Sequence, residues 1–376
     1  MKKVAVLGAG MIGRTIAIDL ANDFEVTSID FSDLSLKLLQ QKDLRISVIN
    51  QDISEIALFP KLLSPFDLVV CAVPGFMGYK TLEAIIKSKK NVVDISFFPE
   101  NALELDALAK ENNVTAIVDC GVAPGMSNLI LGYYNEIMKI TDFECVVGGL
   151  PKIRIKPFEY KAPFSPIDVI EEYTRPARFV EDDKIVTKPA LTDAELLQFE
   201  NIGNLESFNT DGLRSLLSTM SHIPNMKEKT LRYPGHISLM QSLIDGGFFN
   251  TEKININGCE ISPLEFSSKI LFKQWKLEEG EEEFTVMRIK ISGDENGKLK
   301  TIIYDLYDEY DKKKQTSSMA RTTGYTCTAA LNLISENMFN EKGVFPPELV
   351  GKHENCFKYI LNYLQKRNVI YKVSGE

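Results

Sequence analysis

Three glycines spaced as Gly8-Ala9-Gly10-Met11-Ile12-Gly13, followed by a carboxylate at Asp30, are the residues of this chain best placed to do chemistry. The glycines come directly after an apolar run at 4–7 and directly before a helical pattern, the context in which such a loop cradles a diphosphate. Gly8 allows the tight turn, Gly10 leaves room for a pyrophosphate against the backbone, and Gly13 lets helix and strand pack closely. Met11 and Ile12 open a helix whose unpaired N–H groups attract anions. Asp30 ends the second apolar run, where an acid can accept from ribose hydroxyls and repel a 2′-phosphate. Hydrogen bonds to a charged group contribute about 1.5–3 kcal/mol, enough to favour NAD over NADP at least tenfold. Lys37 is the first cation after Asp30. The expected cofactor is therefore NAD, with NADP second; the competing reading makes Asp30 a strand cap. Four further residues stand at or just beyond the ends of other apolar runs: Asp52 on the adenine side, Val73 and Pro74 over the nicotinamide ribose, and Asp94. Ligands of open α/β sheets bind at such strand ends. Asp52 could equally cap a turn.

The elements that must carry these groups are legible as a rhythm. Short apolar runs rich in valine and isoleucine stand at 4–7, 26–29, 46–49, 68–73, 92–95 and 116–118, with amphipathic stretches between them. Ile12, Ile16 and Leu20 mark one face of the first such stretch. Runs of this kind are strands buried on both faces, so the pattern predicts an α/β fold, a Rossmann doubly wound parallel sheet. From about residue 125 the rhythm changes. Strands are expected at 144–147, 178–186, 228–233, 252–256, 284–292 and 299–307, the last two joined by a hairpin loop at 293–297. Helices are expected at 211–220, 237–246, 263–273 and 317–337. The second domain is thus expected to be α+β with an antiparallel sheet.

Several segments occur in an order that resembles the saccharopine dehydrogenase family, and within it the lysine 6-dehydrogenases. They are Asp119-Cys120-Gly121-Val122-Ala123-Pro124-Gly125-Met126, Gly148-Gly149-Leu150-Pro151, Leu205-Glu206-Ser207-Phe208-Asn209-Thr210 and Thr230-Leu231-Arg232-Tyr233-Pro234-Gly235-His236. Met319-Ala320-Arg321-Thr322-Thr323-Gly324-Tyr325-Thr326 and Gly343-Val344-Phe345-Pro346-Pro347-Glu348 complete the set. The resemblance implies hydride transfer between a nicotinamide ring and the C–N carbon of an amino acid such as lysine or saccharopine. It also implies that residues 317–376 pack back on the nucleotide domain, residues 1–124, and that residues 125–316 bind substrate and form a homodimer.

Such a reaction needs a base or a desolvating site, because an ammonium with a pKa of about 10.4 has no lone pair to release hydride. It also needs a cation for the substrate carboxylate, a role that suits the planar fork of arginine. Arg232 with Tyr233 is the first candidate clamp, with Asn209 and Arg214 behind it; a structural ion pair is the other reading of Arg232. His236 is the candidate base or proton relay, or else a satisfied structural histidine. Asp119 could orient water or the amine, or cap its strand. Cys120 reads as a packed thiol rather than a nucleophile.

Composition bounds the rest. The 376 residues suffice for two domains, and 44% hydrophobic and 25% charged residues are ordinary for a globular chain. A net charge of −9 argues against nucleic acid as a partner. No apolar run reaches membrane length. Six cysteines without a Cys-x-x-Cys pair read as reduced thiols in the cytoplasm, and three separated histidines leave little for a metal site. Two other functions stay open: a non-catalytic NAD(H)-binding regulator, and a reductive condensation enzyme of the carboxynorspermidine or saccharopine reductase type.

Overall fold

The structure, a computed structural model, describes residues 1–164 and 166–375. Glu376, the last residue of the expected returning segment, lies outside the described residues. The six early apolar runs form β1 (Lys3–Leu7), β2 (Glu25–Asp30), β3 (Ser47–Asn50), β4 (Leu68–Cys71), β5 (Asn91–Asp94) and β6 (Thr115–Ile117). The period of two along a strand divides their side chains between two cores. Val4 and Val6 of β1 enter one hydrophobic cluster, and Ala5 and Leu7 enter the other.

The second part contributes β7 (Lys139–Pro151), β8 (Ala177–Glu181), β9 (Lys184–Lys188), β10 (Glu195–Phe199), β11 (Gly203–Asn209) and β12 (Asn225–Arg232). It continues with β13 (Ile254–Ile256), β14 (Cys259–Ile261), β15 (Glu283–Glu295) and β16 (Lys298–Glu309), and the chain ends with β17 (Gly343–Phe345) and β18 (Tyr371–Ser374).

The first sheet has the order β17-β6-β5-β4-β1-β2-β3, and every pairing in it is parallel. This is the doubly wound Rossmann sheet that the apolar rhythm predicts. Its seventh strand, β17, comes from the far end of the chain. Three residues are too few to display a period, so residues 343–345 do not read as a strand in sequence.

The second sheet runs β10-β11-β12-β7-β15-β16-β18, with β8 paired to β12 and β9 to β8. It corrects the expectation of an antiparallel sheet, because β12 and β7 lie parallel. The long excursion between them supplies the crossover that parallel pairing needs. The expected strand at 178–186 is the hairpin β8–β9, turned at Asp182 and Asp183, both with positive φ. The expected helix at 211–220 shrinks to Leu216–Thr219. The tail also divides: β17 joins the first sheet, whereas β18 pairs with β16 of the second.

The helix Ser318–Ser335 lies against the helix Met11–Leu20 and is buried along almost its whole length. Across this junction Asp19 accepts hydrogen bonds from Thr328 Oγ1 at 2.7 Å, Tyr363 at 2.9 Å and Arg367 Nε at 2.7 Å. One continuous core joins Val4 and Val6 of the first sheet to Phe143, Cys145 and Ile289 of the second. The carboxyl ends of the parallel strands are thereby held facing one surface of the second sheet.

Candidate active site

A cleft of about 820 Å³ is lined jointly by the parallel-strand loops and by the inner face of the second sheet. Its nucleotide end is built by Gly8, Gly10, Met11, Ile12, Gly13, Asp30, Asp52, Val73 and Pro74. Gly8 has φ +104°, and a Cβ there would stand 2.4 Å from the Ala72 carbonyl oxygen. A Cβ on Gly13 would meet the Gly8 carbonyl oxygen at 2.2 Å, whereas one on Gly10 would enter open space. The first and last glycines are therefore required by the fold, and the middle one keeps clear the approach to the helix N-terminus.

Asp30 is buried at the rim, where Oδ2 accepts from Ala9 N at 2.6 Å and Oδ1 from Ser32 N at 2.8 Å. Beside it Phe31, 71% exposed, offers an aromatic face to the cleft, and Phe76 does the same further along. A cradle that a Cβ at Gly10 would fill, an acid at the ribose position and exposed rings at the rim fit a nicotinamide adenine dinucleotide. Asp52 caps its own turn by accepting from Ser54 N at 2.9 Å, and it also lines the wall. Asp94 is not on the wall. It is fully buried and accepts from Ser96 N and Ser96 Oγ, so it corrects the expectation by shaping the loop that follows β5 rather than touching a ligand. Burial raises its pKa to about 7 against the pull of those bonds.

The other end of the cleft is acidic. Asp119 follows β6 with φ +52°, and its Oδ2 accepts from Arg214 Nε at 2.9 Å while Oδ1 has no partner. Arg214 stands behind that carboxylate, donating to the Phe98 carbonyl at 2.7 Å and lying 4.6 Å from the Phe97 ring centroid. Glu228, Thr230 and Arg232 alternate along β12 and so project from one face into the cleft. Glu228 Oε2 is buried without a hydrogen-bond partner. Burial raises the Glu228 pKa to about 8; Arg214 opposes the shift, and Asp119, Asp211 and Glu172 reinforce it. Gly212 makes room for that carboxylate, since a Cβ there would lie 2.0 Å from Glu228 Oε1. Thr210 and Thr230 share a hydrogen bond at 3.0 Å beside it.

Arg232 lines the cleft, but its fork is already spent. Nε donates to Tyr173 at 3.1 Å, Nη1 to the Leu231 carbonyl at 3.0 Å, and Nη2 to Glu172 at 2.7 Å and Tyr160 at 3.4 Å. The guanidinium is 2% exposed and lies 4.4 Å from the Tyr160 ring centroid. The structural ion pair, rather than a free carboxylate clamp, is what the geometry contains. His236 is a second correction. Its Nε2 bonds Tyr173 at 3.0 Å and its Nδ1 bonds the Phe158 carbonyl at 2.9 Å, behind the wall rather than on it. Burial, followed by the charge of Arg232, drives its pKa down to about 3, so it stays neutral and has no lone pair directed at the cleft.

Tyr233 and Asn209 face away. Tyr233 donates to the Pro151 carbonyl at 2.9 Å inside a separate apolar cluster. Asn209 bonds Thr192 and Asp193, each at 3.0 Å, beside a different surface hollow. Glu228 was missed in sequence, yet the signal was present: a strand that directs Arg232 at the cleft directs residue 228 there too. Among the described residues no cluster suited to a metal ion occurs, and no helix is long and apolar enough to cross a membrane.

Comparison with known proteins then gives a consistent picture. A family model described as the saccharopine dehydrogenase NADP binding domain matches residues 4–117, and one described as the saccharopine dehydrogenase C-terminal domain matches residues 121–370. The mitochondrial alpha-aminoadipic semialdehyde synthase of Mus musculus is 24% identical over 278 residues, which are 70% of this chain and 30% of the mouse protein. The saccharopine dehydrogenase (NADP(+), L-glutamate-forming) of Pyricularia oryzae is 27% identical over 267 residues, 67% of this chain and 59% of the fungal one. This chain therefore spans less than two thirds of either relative. Among solved structures, apo saccharopine dehydrogenase (L-Glu forming) from Saccharomyces cerevisiae superposes with a TM-score of 0.80 at 19% identity over the whole of both chains, a likeness of fold.

Proposed function

The chain belongs to the saccharopine dehydrogenase family, and on that footing we propose that it is an NAD(H)-dependent oxidoreductase acting at the C–N carbon of an amino acid. The observation that carries this reading is the meeting, in one cleft, of the glycine cradle with two carboxylates that each keep an unpartnered buried oxygen, Asp119 and Glu228. A bound nicotinamide dinucleotide supplies a two-electron hydride acceptor; the rest of the chemistry falls to the chain. The acidic wall receives the substrate amine as an ammonium, which must lose a proton before hydride can leave. Asp119, fixed by Arg214, orients the amine through Oδ1. Glu228, with a pKa near working pH, accepts the amine proton, as a matched general base should. Water then adds to the resulting iminium carbon and ammonia leaves, giving an aldehyde or ketone.

The finer proposal is NAD rather than NADP. The matching family model is described as NADP binding and the Pyricularia oryzae relative is named for NADP(+). In this chain, however, the ribose position carries Asp30, whose charge opposes a 2′-phosphate. Titration calorimetry should give NAD+ at least about tenfold tighter than NADP+, and Asp30→Ser should erase the difference. Steady-state assays with NAD+ and a panel of amino acids and amines should show NADH absorbance growing with at least one compound. Bound NAD+ without turnover across the panel would sink the catalytic reading.

A further inference from the structure

We infer that Arg175 is the residue that takes a substrate carboxylate in this cleft, and so decides how strongly an amine carrying one is preferred to an amine without. The inference rests on the dehydrogenase reading of the same cleft. Among the described residues two cationic side chains line the wall, Arg175 and Arg232. All three nitrogens of the Arg232 fork already donate, Nη2 to Glu172 at 2.7 Å. Turning it to a ligand would strand that largely buried acid, which is strongly unfavourable. Arg175 is held differently. Among the described residues its guanidinium donates to one acceptor, Glu171, four positions back on the helix Pro166–Thr174. The Glu171 side chain is 38% exposed, so water can solvate it when the arginine turns away. An exposed ion pair at this spacing shifts an equilibrium by only about twofold. A forked guanidinium–carboxylate pair inside a cleft is worth about tenfold or more, so a substrate carboxylate displaces Glu171.

The surroundings aim Arg175 at the reacting end. Asp168, Glu171, Glu172 and Arg175 recur at i, i+3, i+4 and i+7, and all four line the cleft. The Arg175 backbone N–H donates to the Glu171 carbonyl at 2.9 Å, which keeps this residue, one past the helix, in helical register. Its guanidinium carbon lies 5.6 Å from the centroid of the Phe97 ring, and that of Arg214 lies 4.6 Å from the same centroid. Arg214 in turn holds Asp119 at 2.9 Å. Two guanidiniums thus meet one ring: Arg214 serves the amine end through Asp119, and Arg175 is left for the carboxylate end. Of the acids beside Arg175, Glu172 is answered by Arg232, and Glu171 is the one that gives way. Arg175 stands outside every segment that carries the family resemblance, which is why Arg232 reads as the clamp in sequence.

The test uses the full chain with NAD+ and three α-amino acids beside the amines left when the α-carboxylate is removed: L-lysine and cadaverine, L-ornithine and putrescine, L-glutamate and 4-aminobutyrate. Initial rates and calorimetric affinity are read for each compound, and thermal unfolding for each variant. The expected result is a kcat/KM for the α-amino acid about tenfold or more above that of its partner in at least one pair. Arg175→Ala should collapse that ratio to within about twofold by raising KM for the α-amino acid alone, and Arg175→Lys should restore part of it. Glu171→Gln should hold the ratio or widen it, because it releases the fork; a merely structural ion pair would make Glu171→Gln and Arg175→Ala alike. A ratio that survives Arg175→Ala, or a preference for the partner amines, overturns the inference and leaves the dehydrogenase reading standing. Calorimetric binding of the α-amino acids that needs Arg175, without any turnover, upholds the anchor and overturns the dehydrogenase reading. Neither binding nor turnover across the three pairs overturns both.

Discussion

At the scale of single residues, the behaviour of Glu228 follows from where β12 puts it. With a folded pKa near 8 against 4.5 ordinarily, it holds between those values a proton that the unfolded chain releases, and it becomes a free base as pH approaches 8. Native stability from this group is thus complete below about pH 4.5 and is lost as pH rises to about 8, the reverse of a salt-bridged carboxylate. Burial is the largest cause of the effect; among the charged groups around it, Arg214 resists it and Asp119, Asp211 and Glu172 add to it. Denaturant titrations between pH 5 and 8 should show stability of the unliganded protein declining more steeply than in Glu228→Gln; equal slopes would refute the assignment. His236 gives a contrasting expectation. Because its proton equilibrium is pushed to about 3, His236→Gln should leave both limbs of the pH–rate profile in place. It should still cost about 1–3 kcal/mol of stability through the severed bonds to Tyr173 and Phe158. Sequence alone offered His236 as the base because a histidine in a family motif attracts that role. The two partners that occupy its nitrogens lie 63 and 78 residues away, where no local pattern reports them.

Secondary-structure elements explain why the nucleotide end was legible and the acidic end was not. The glycine loop is a local device: turn, clearance and close packing all involve residues of one strand–helix unit and its nearest neighbour. Gly10→Ala should therefore fold normally, since its Cβ meets nothing within 4 Å, while weakening NAD+ binding about tenfold or more. Gly13→Ala, driven into a carbonyl at 2.2 Å, should lower the melting temperature before any ligand is added. Calorimetry beside thermal unfolding separates the two cases, and a shared phenotype would contradict the geometry. The parallel pairing of β7 with β12 escaped sequence reasoning for the opposite reason: alternation along each strand is identical whichever direction its neighbour runs. The ion pairs of Arg232 and Arg214 reach acids 60 and 95 residues distant, so an arginine that reads as free in sequence is spoken for in the fold.

For the molecule as a whole, the junction around Asp19 is the point where removing one side chain should be felt furthest. It neutralises Arg367 and ties the first helix to two helices from the other end of the chain. Asp19→Ala leaves that guanidinium uncompensated, and a loss of about 3–5 kcal/mol is expected in urea unfolding. The return of β17 to the first sheet has a practical corollary. The boundary between the two matched family models, at 118–120, separates β6 from the strand that covers its edge. A fragment cut there would present a bare row of backbone donors and acceptors, a template on which identical fragments can stack. What looks like a natural place to divide the gene is thus a place to expect self-association rather than a well-behaved nucleotide-binding module.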